Sequence, residues 1–148
     1  MQESDSIREI LLVEDDPRDA ELIARTLSHY NLAHCLYRVK DGQEALDYMF
    51  SRGLYAYRNA APSPRFILLD LKLPKISGLQ VLKQLKSTES TRHVPIIVLT
   101  SSQEESDRFA SYDYGATSYI NKPIDGDQFE KAVCDIGYYW MTFNSAGF

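Results

Sequence analysis

The chain is short of most features that would name a chemistry outright. It has two cysteines among 148 residues, Cys35 and Cys134, far apart and in no C-x-x-C pair. That excludes a disulfide framework and a cysteine zinc site, and leaves two reduced, buried or half-buried thiols as the expectation. No basic run is longer than two residues and the formal net charge is -5, which argues against a nucleic-acid groove or a membrane-surface patch. No apolar stretch approaches the length that spans a bilayer. Segment Met1–Ser6 is polar and acidic, without the apolar centre of a signal peptide, so a cytoplasmic protein with no membrane partner is expected. His29, His34 and His93 form no metal-ligand spacing, and surface or packing roles are expected for them. No glycine-rich nucleotide loop is present.

What is present is a pattern repeated four times. Ile10-Leu11-Leu12-Val13 runs into Glu14-Asp15-Asp16, and Phe66-Ile67-Leu68-Leu69 runs into Asp70. Ile96-Ile97-Val98-Leu99 runs into Thr100, and Ser118-Tyr119-Ile120-Asn121 runs into Lys122-Pro123. Apolar runs that alternate with helical patterns predict a parallel sheet. The carboxyl ends of its strands share one edge, and sites form there. Acids, a hydroxyl and an ammonium should therefore meet in one small space.

The first strand is expected at Glu9–Val13, with Asp16 as N-cap and Pro17 early in the helix that follows. Leu22, Ile23, Leu27 and Tyr30 recur at helical spacing and predict its buried stripe, with Asn31 ending it. A more polar second strand is expected over 34–39, then a turn at Asp41-Gly42 and a helix facing inward with Ala45, Leu46, Met49 and Phe50. Ser51–Pro64, rich in Gly, Ala, Pro, Tyr and Arg, reads as a long connection, either functional or mobile. Leu79, Leu82 and Leu85 line a third helix. Glu104, Glu105 and Asp107 suit the start of a fourth, and Gly115 its C-terminal turn. Asp125 or Asp127 caps a last helix bearing Phe129, Val133, Ile136, Trp140 and Phe143. The expected fold is a doubly wound five-stranded parallel α/β sheet, (βα)5.

The order of acidic cluster, Asp70, Thr100-Ser101-Ser102 and Lys122-Pro123 resembles the receiver domain of two-component response regulators, a flavodoxin-like, CheY-like fold. The resemblance spans about 8–143, leaving an N-terminal extension 1–7 and a tail 144–148. It implies that Asp70 is the phosphoacceptor, with Lys122 and Thr100 contacting the phosphoryl group. It implies a Mg²⁺ site, which Mn²⁺ or Ca²⁺ can also fill, built from Asp15, Asp70, Glu14 acting mainly through water, and the backbone carbonyl of Lys72. The family often has Asp where Glu14 stands. Asp16 lies one position past the usual acidic pair and is read as the N-cap. Thr100 and Tyr119 form the implied switch, and Lys72 and Ser102 tune the lifetime of the phosphorylated state. The Lys122–Pro123 bond is expected to be cis.

The run Gly137-Tyr138-Tyr139-Trp140, the tail and the Tyr-rich connection are similar to a subgroup of stand-alone regulators paired with cyanobacterial phytochrome-type histidine kinases. A single-domain regulator is therefore expected, without an attached output module, because Asn144–Phe148 is too short for one. It would catalyse only its own phosphorylation and dephosphorylation, and act on a downstream protein that the sequence does not name. Surplus apolar residues on the last helix, Cys134, Tyr138 and Met141, mark a dimer face. Two other readings stay open. One is a phosphorylation-independent adaptor of receiver shape. The other is an aspartyl-phosphate hydrolase of the haloacid-dehalogenase type, though such enzymes usually carry a second acid where Lys72 stands.

Overall fold

Short apolar runs bury both faces only in the middle of a layered sheet. In the computed structural model, which describes residues 9–32, 35–59, 63–101 and 112–135 (backbone alone for 133–135), they do so. Strands β1 (Ile10–Val13), β3 (Ile67–Asp70) and β4 (Ile96–Thr100) are buried at every residue. Strands β2 (Leu36–Val39) and β5 (Ser118–Asn121) flank them and alternate in exposure, as edge strands should. The order is β2-β1-β3-β4-β5, and every pairing is parallel. Leu12 stands beside Leu68, Leu68 beside Ile97, and Leu99 beside Ile120.

Side chains alternate along each strand, so the sheet serves two cores. Ile10, Leu12, Leu68, Ile97, Leu99 and Ile120 pack with Ile23 and Leu27 of helix α1 (Pro17–Ser28) and with Phe129 of the last helix, α4 (Gly126–Asp135). Leu11, Val13, Ile67, Leu69, Ile96 and Val98 pack with Leu46 of α2 (Gly42–Met49) and with Val81, Leu82 and Leu85 of α3 (Gly78–Ser87). This is the doubly wound fold expected from the sequence.

Local chemistry sets the helix starts. The carboxylates of Asp16, Asp41 and Asp125 accept from the amides of Arg18, Glu44 and Gln128 at 2.7–2.9 Å, and Ser77 Oγ accepts from Gln80. Asp125, rather than Asp127, is thus the cap of α4. Asn31 and Gly115 hold positive φ, at 60° and 105°, where a chain leaves a helix. Leu22 departs from the expected stripe. It is 41% exposed, whereas Ala20, Ile23, Thr26 and Leu27 are buried. The sheet takes only the narrow face through 20, 23 and 27, and Leu22 lies about 100° round the helix from Ile23. Tyr48 is buried too, although the spacing did not include it.

The connection after α2 is structured over 51–59. Gly53–Arg58 forms a 3-10 helix kinked at Tyr55, which is buried. The Tyr55 hydroxyl donates to Glu44 Oε2 at 2.7 Å and lies 3.0 Å from that of Tyr37. Tyr37 stacks on Tyr48 with ring centroids 5.0 Å apart, and the Arg58 guanidinium sits 3.7 Å from the Tyr48 ring centre. Arg58 also pairs with Glu9 at 3.0 Å. The expected helix from Glu104 and the last helix beyond Asp135 lie outside the described residues, as do His34, Ser102, Tyr138, Met141 and the side chain of Cys134. Cys35 is a buried free thiol.

Candidate functional site at the carboxyl edge of the sheet

Strand β1 is neighboured by β2 on one side and β3 on the other, so the chain winds outward from β1 to β2 and then crosses back past β1 to β3. Such a reversal opens a crevice beyond the carboxyl ends of the strands. Glu14 and Asp15 stand where β1 ends, Asp70 is the last residue of β3 and Thr100 the last of β4. Lys122 follows β5, its amide donating to the Thr100 carbonyl at 2.9 Å, and the bond to Pro123 is cis as expected. Register keeps these ends level, with Asp70 beside Leu99 and Thr100 beside Asn121.

The side chains converge. Oxygens of Glu14, Asp15 and Asp70 all lie within 4.8 Å of one another. Glu14 is fully buried and Asp70 nearly so, whereas Asp15 is exposed. The Lys122 ammonium reaches Glu14 Oε1 at 2.7 Å, Asp19 Oδ2 at 2.9 Å and Asp70 Oδ2 at 3.2 Å. The other oxygen of Asp70 accepts from the Lys72 amide at 3.2 Å. Gly78, at the start of α3, lies so close to the Asp70 carbonyl that a Cβ there would collide with it. Thr100 is fully buried. Tyr119 is half-buried against the core, and its hydroxyl donates to Asn121 Oδ1 at 3.3 Å.

Burial and nearby charge tune the titrations. Burial pushes the Glu14 carboxyl up to about 7; the adjacent Lys122 ammonium opposes the rise and the charge of Asp70 adds to it. Burial works against the Lys122 charge, but close contacts with Glu14 and Asp19 and the field of Asp70 outweigh it and hold the ammonium above its ordinary value.

Among the described residues, one ammonium, Lys122, pairs with the three carboxylates of Glu14, Asp19 and Asp70, so their negative charge exceeds its positive charge. The 2.7 Å ion pair from Lys122 to Glu14 Oε1 lies off the hydrogen-bonding direction, so this buried oxygen keeps unmet acceptor capacity. An all-oxygen donor set with an orphaned buried oxygen fits a hard divalent cation. A carboxylate next to such a cation, with an ammonium within reach, can hold an incoming phosphoryl group.

Two residues escaped the sequence reading. Asp19 sits in the first turn of α1, where an acid reads simply as a complement to the helix dipole. Arg38 lies on β2, and its guanidinium donates to the carbonyls of Glu14 at 2.9 Å and Asp15 at 3.1 Å. Neither contact leaves a spacing signal, because each partner comes from a different strand or helix.

Residues 10–134 match the family described as response regulator receiver domain. The chain is 34% identical over 139 residues to the response regulator Rcp1 of Synechocystis sp., covering 94% of this chain and 92% of that protein. A crystal structure of Rcp1 in its Mn²⁺-bound form superimposes with a TM-score of 0.76 over 92% of this chain and 96% of that one. The bacteriophytochrome response regulator AtBRR aligns at 45% identity with a TM-score of 0.81, covering 90% of this chain and 95% of that one. The phosphorylated cyanobacterial phytochrome response regulator RcpA aligns at 36% identity and 0.74, covering 93% and 95%.

Proposed function

The chain belongs to the response regulator receiver family, a signalling family rather than a classical enzyme family, and we propose that it takes a phosphoryl group onto Asp70 from a phytochrome-type sensor histidine kinase. The observation that carries this reading is the meeting of Glu14, Asp70 and Lys122 within 3.2 Å contacts of one ammonium. The partner rests on relatives described as phytochrome and bacteriophytochrome response regulators.

In the proposed step a carboxylate oxygen of Asp70 attacks phosphorus in line with the donor's phosphohistidine. The new O–P bond forms as the P–N bond breaks, and the leaving imidazole nitrogen takes a proton. Lys122, already 3.2 Å from Asp70, moves its charge from carboxylate to phosphoryl oxygen, which suits a compact ammonium with rotatable donors. Asp15, Glu14, Asp70 and the Lys72 carbonyl would hold Mg²⁺, which supplies charge neutralisation for phosphoryl oxygens. Hydrolysis of the aspartyl phosphate returns the domain to its starting state, at a rate tuned by Lys72 and Ser102. The Thr100 hydroxyl draws toward the phosphate and Tyr119 turns inward, giving up its bond to Asn121. A downstream protein reads the altered surface. The reading places the receiver at 8–143, in the cytoplasm, with a dimer face at Cys134, Tyr138 and Met141.

Acetyl phosphate with Mg²⁺ should label the chain, and Asp70→Asn should abolish the label while leaving the melting curve cooperative. Lys122→Ala should still take up phosphate but lose the downstream change, read as the Tyr119 ring signals by NMR. Hydroxylamine-labile label surviving in Asp70→Asn would move the acceptor to another carboxylate. A panel of purified histidine kinases, phytochromes included, under red and far-red light would identify the donor.

A further inference from the structure

The turn between β1 and α1 holds two of the clustered acids and has no ladder of its own. The Glu14 amide still donates to the Val39 carbonyl at 3.1 Å, so pairing with β2 continues one residue past the strand. The first helical bond runs from Ala20 to the Asp16 carbonyl. The carbonyls of Glu14 and Asp15 fall between these two systems. Arg38, on the edge strand β2 and in register with Leu12, spans the gap. Its Nε donates to one carbonyl at 2.9 Å and its Nη2 to the next at 3.1 Å. A planar fork that holds two successive carbonyls fixes the peptide planes on both sides of Asp15. Inside the turn, Glu14 folds back so that its Oε2 accepts from the Asp16 amide at 3.2 Å.

We propose that Arg38 is a positioning residue for the divalent cation: its guanidinium fork sets the β1–α1 turn so that the Glu14 and Asp15 carboxylates are presented together toward Asp70. This rests on the cation-site reading above. The sign of the effect makes it testable. The Arg38 charge repels a second cation, so Coulomb's law alone predicts that its removal tightens metal binding. If the fork sets the turn, removal loosens it.

Mn²⁺ titration followed by electron paramagnetic resonance should show affinity falling about tenfold in Arg38→Met, the low end of what outer contacts to metal ligands cost. Arg38→Lys, which keeps the charge but not the fork, should fall by a similar factor. With acetyl phosphate, the Mg²⁺ concentration for half-maximal labelling should rise by the same factor, with the rate at saturating Mg²⁺ within about twofold of the starting protein. In metal-free Arg38→Met the Asp16 amide should exchange with solvent faster, while those of Val98 and Leu99 keep their protection.

Unchanged or tighter Mn²⁺ binding in Arg38→Met overturns the proposal, and starting affinity in Arg38→Lys overturns the fork in favour of a single ammonium donor to the turn. If Arg38→Met loosens the whole sheet, Arg38→Lys decides by the same titration. Absence of Mn²⁺ binding by the unsubstituted chain would sink the cation site itself. The amide exchange of Asp16 would then still report on Arg38.

Discussion

Glu14 is a fully buried carboxyl, and its titration shows the cost. Its pKa rises from an ordinary 4.5 to about 7, chiefly through burial. Between those values the folded metal-free chain holds a proton that the unfolded chain has released. The raised pKa therefore leaves stability intact below about pH 4.5 and erodes it as pH climbs to about 7. Glu14→Gln removes this dependence. In EDTA, the stability of Glu14→Gln minus that of the starting chain should be small at pH 5. By pH 8 it should reach on the order of 2 kcal/mol in favour of the amide. Urea melts at both pH values give the difference, and a difference that does not grow with pH would show that Lys122 fully compensates the buried charge. The sequence marked Glu14, Asp70 and Lys122 by their places at strand ends. It could not mark Asp19, whose 2.9 Å contact to Lys122 joins the first helix to the last strand's exit.

The connection between α2 and β3 shows how an element can be hidden by its composition. Gly53, Ala56, Tyr57 and Arg58 carry no helical stripe, and the segment reads as loop. Its order comes from partners elsewhere in the chain: Glu44 and Tyr37 for Tyr55, and Tyr48 and Glu9 for Arg58. Burial and its bonds to Tyr37 and Glu44 hold the Tyr55 hydroxyl protonated well above the usual phenol range. Tyr55→Phe leaves Glu44 Oε2 without that donor and should cost about 1–2 kcal/mol. The damage should be local, with faster trypsin cleavage at Arg52 and Arg58 and an unchanged metal titration. If cleavage stays at the starting rate, backbone packing rather than the hydroxyl holds the 3-10 helix. Helix α3 shows the opposite case. Its stripe of Leu79, Leu82 and Leu85 stands in the sequence, and in the structure its start is set by Ser77 and by Gly78, whose lack of a side chain lets it abut the Asp70 carbonyl.

At the scale of the whole molecule, two cores on opposite faces of one sheet fix the strand ends to each other, so that groups far apart in sequence meet without a dedicated loop. Lys122 and Asp70 touch across 52 positions, and Lys122 and Asp19 across 103. Surface burial between copies is a separate question, and the last helix was its only sequence signal. Sedimentation at tens of micromolar should show a dimer that strengthens with beryllofluoride and Mg²⁺. Met141→Asp should make it monomeric without altering phosphate uptake. A monomer under both conditions would remove the dimer face from the proposal.

Four apolar runs, each ending in a polar group, determined the parallel sheet and its functional edge, because period and composition are local properties that a strand carries wherever it lies. The helix cap Asp16, Asp125 as one of two candidate caps, and the metal-type acids were legible for the same reason: their partners are within three residues or at the next strand end. Tertiary structure alone decided that Leu22 faces outward, that Tyr48 and Tyr55 are buried, and that Asp19 and Arg38 join the site. Those outcomes depend on which face of a helix the sheet covers and on what an edge strand's side chain finds across the turn, and neither distance is written in a single stretch of chain.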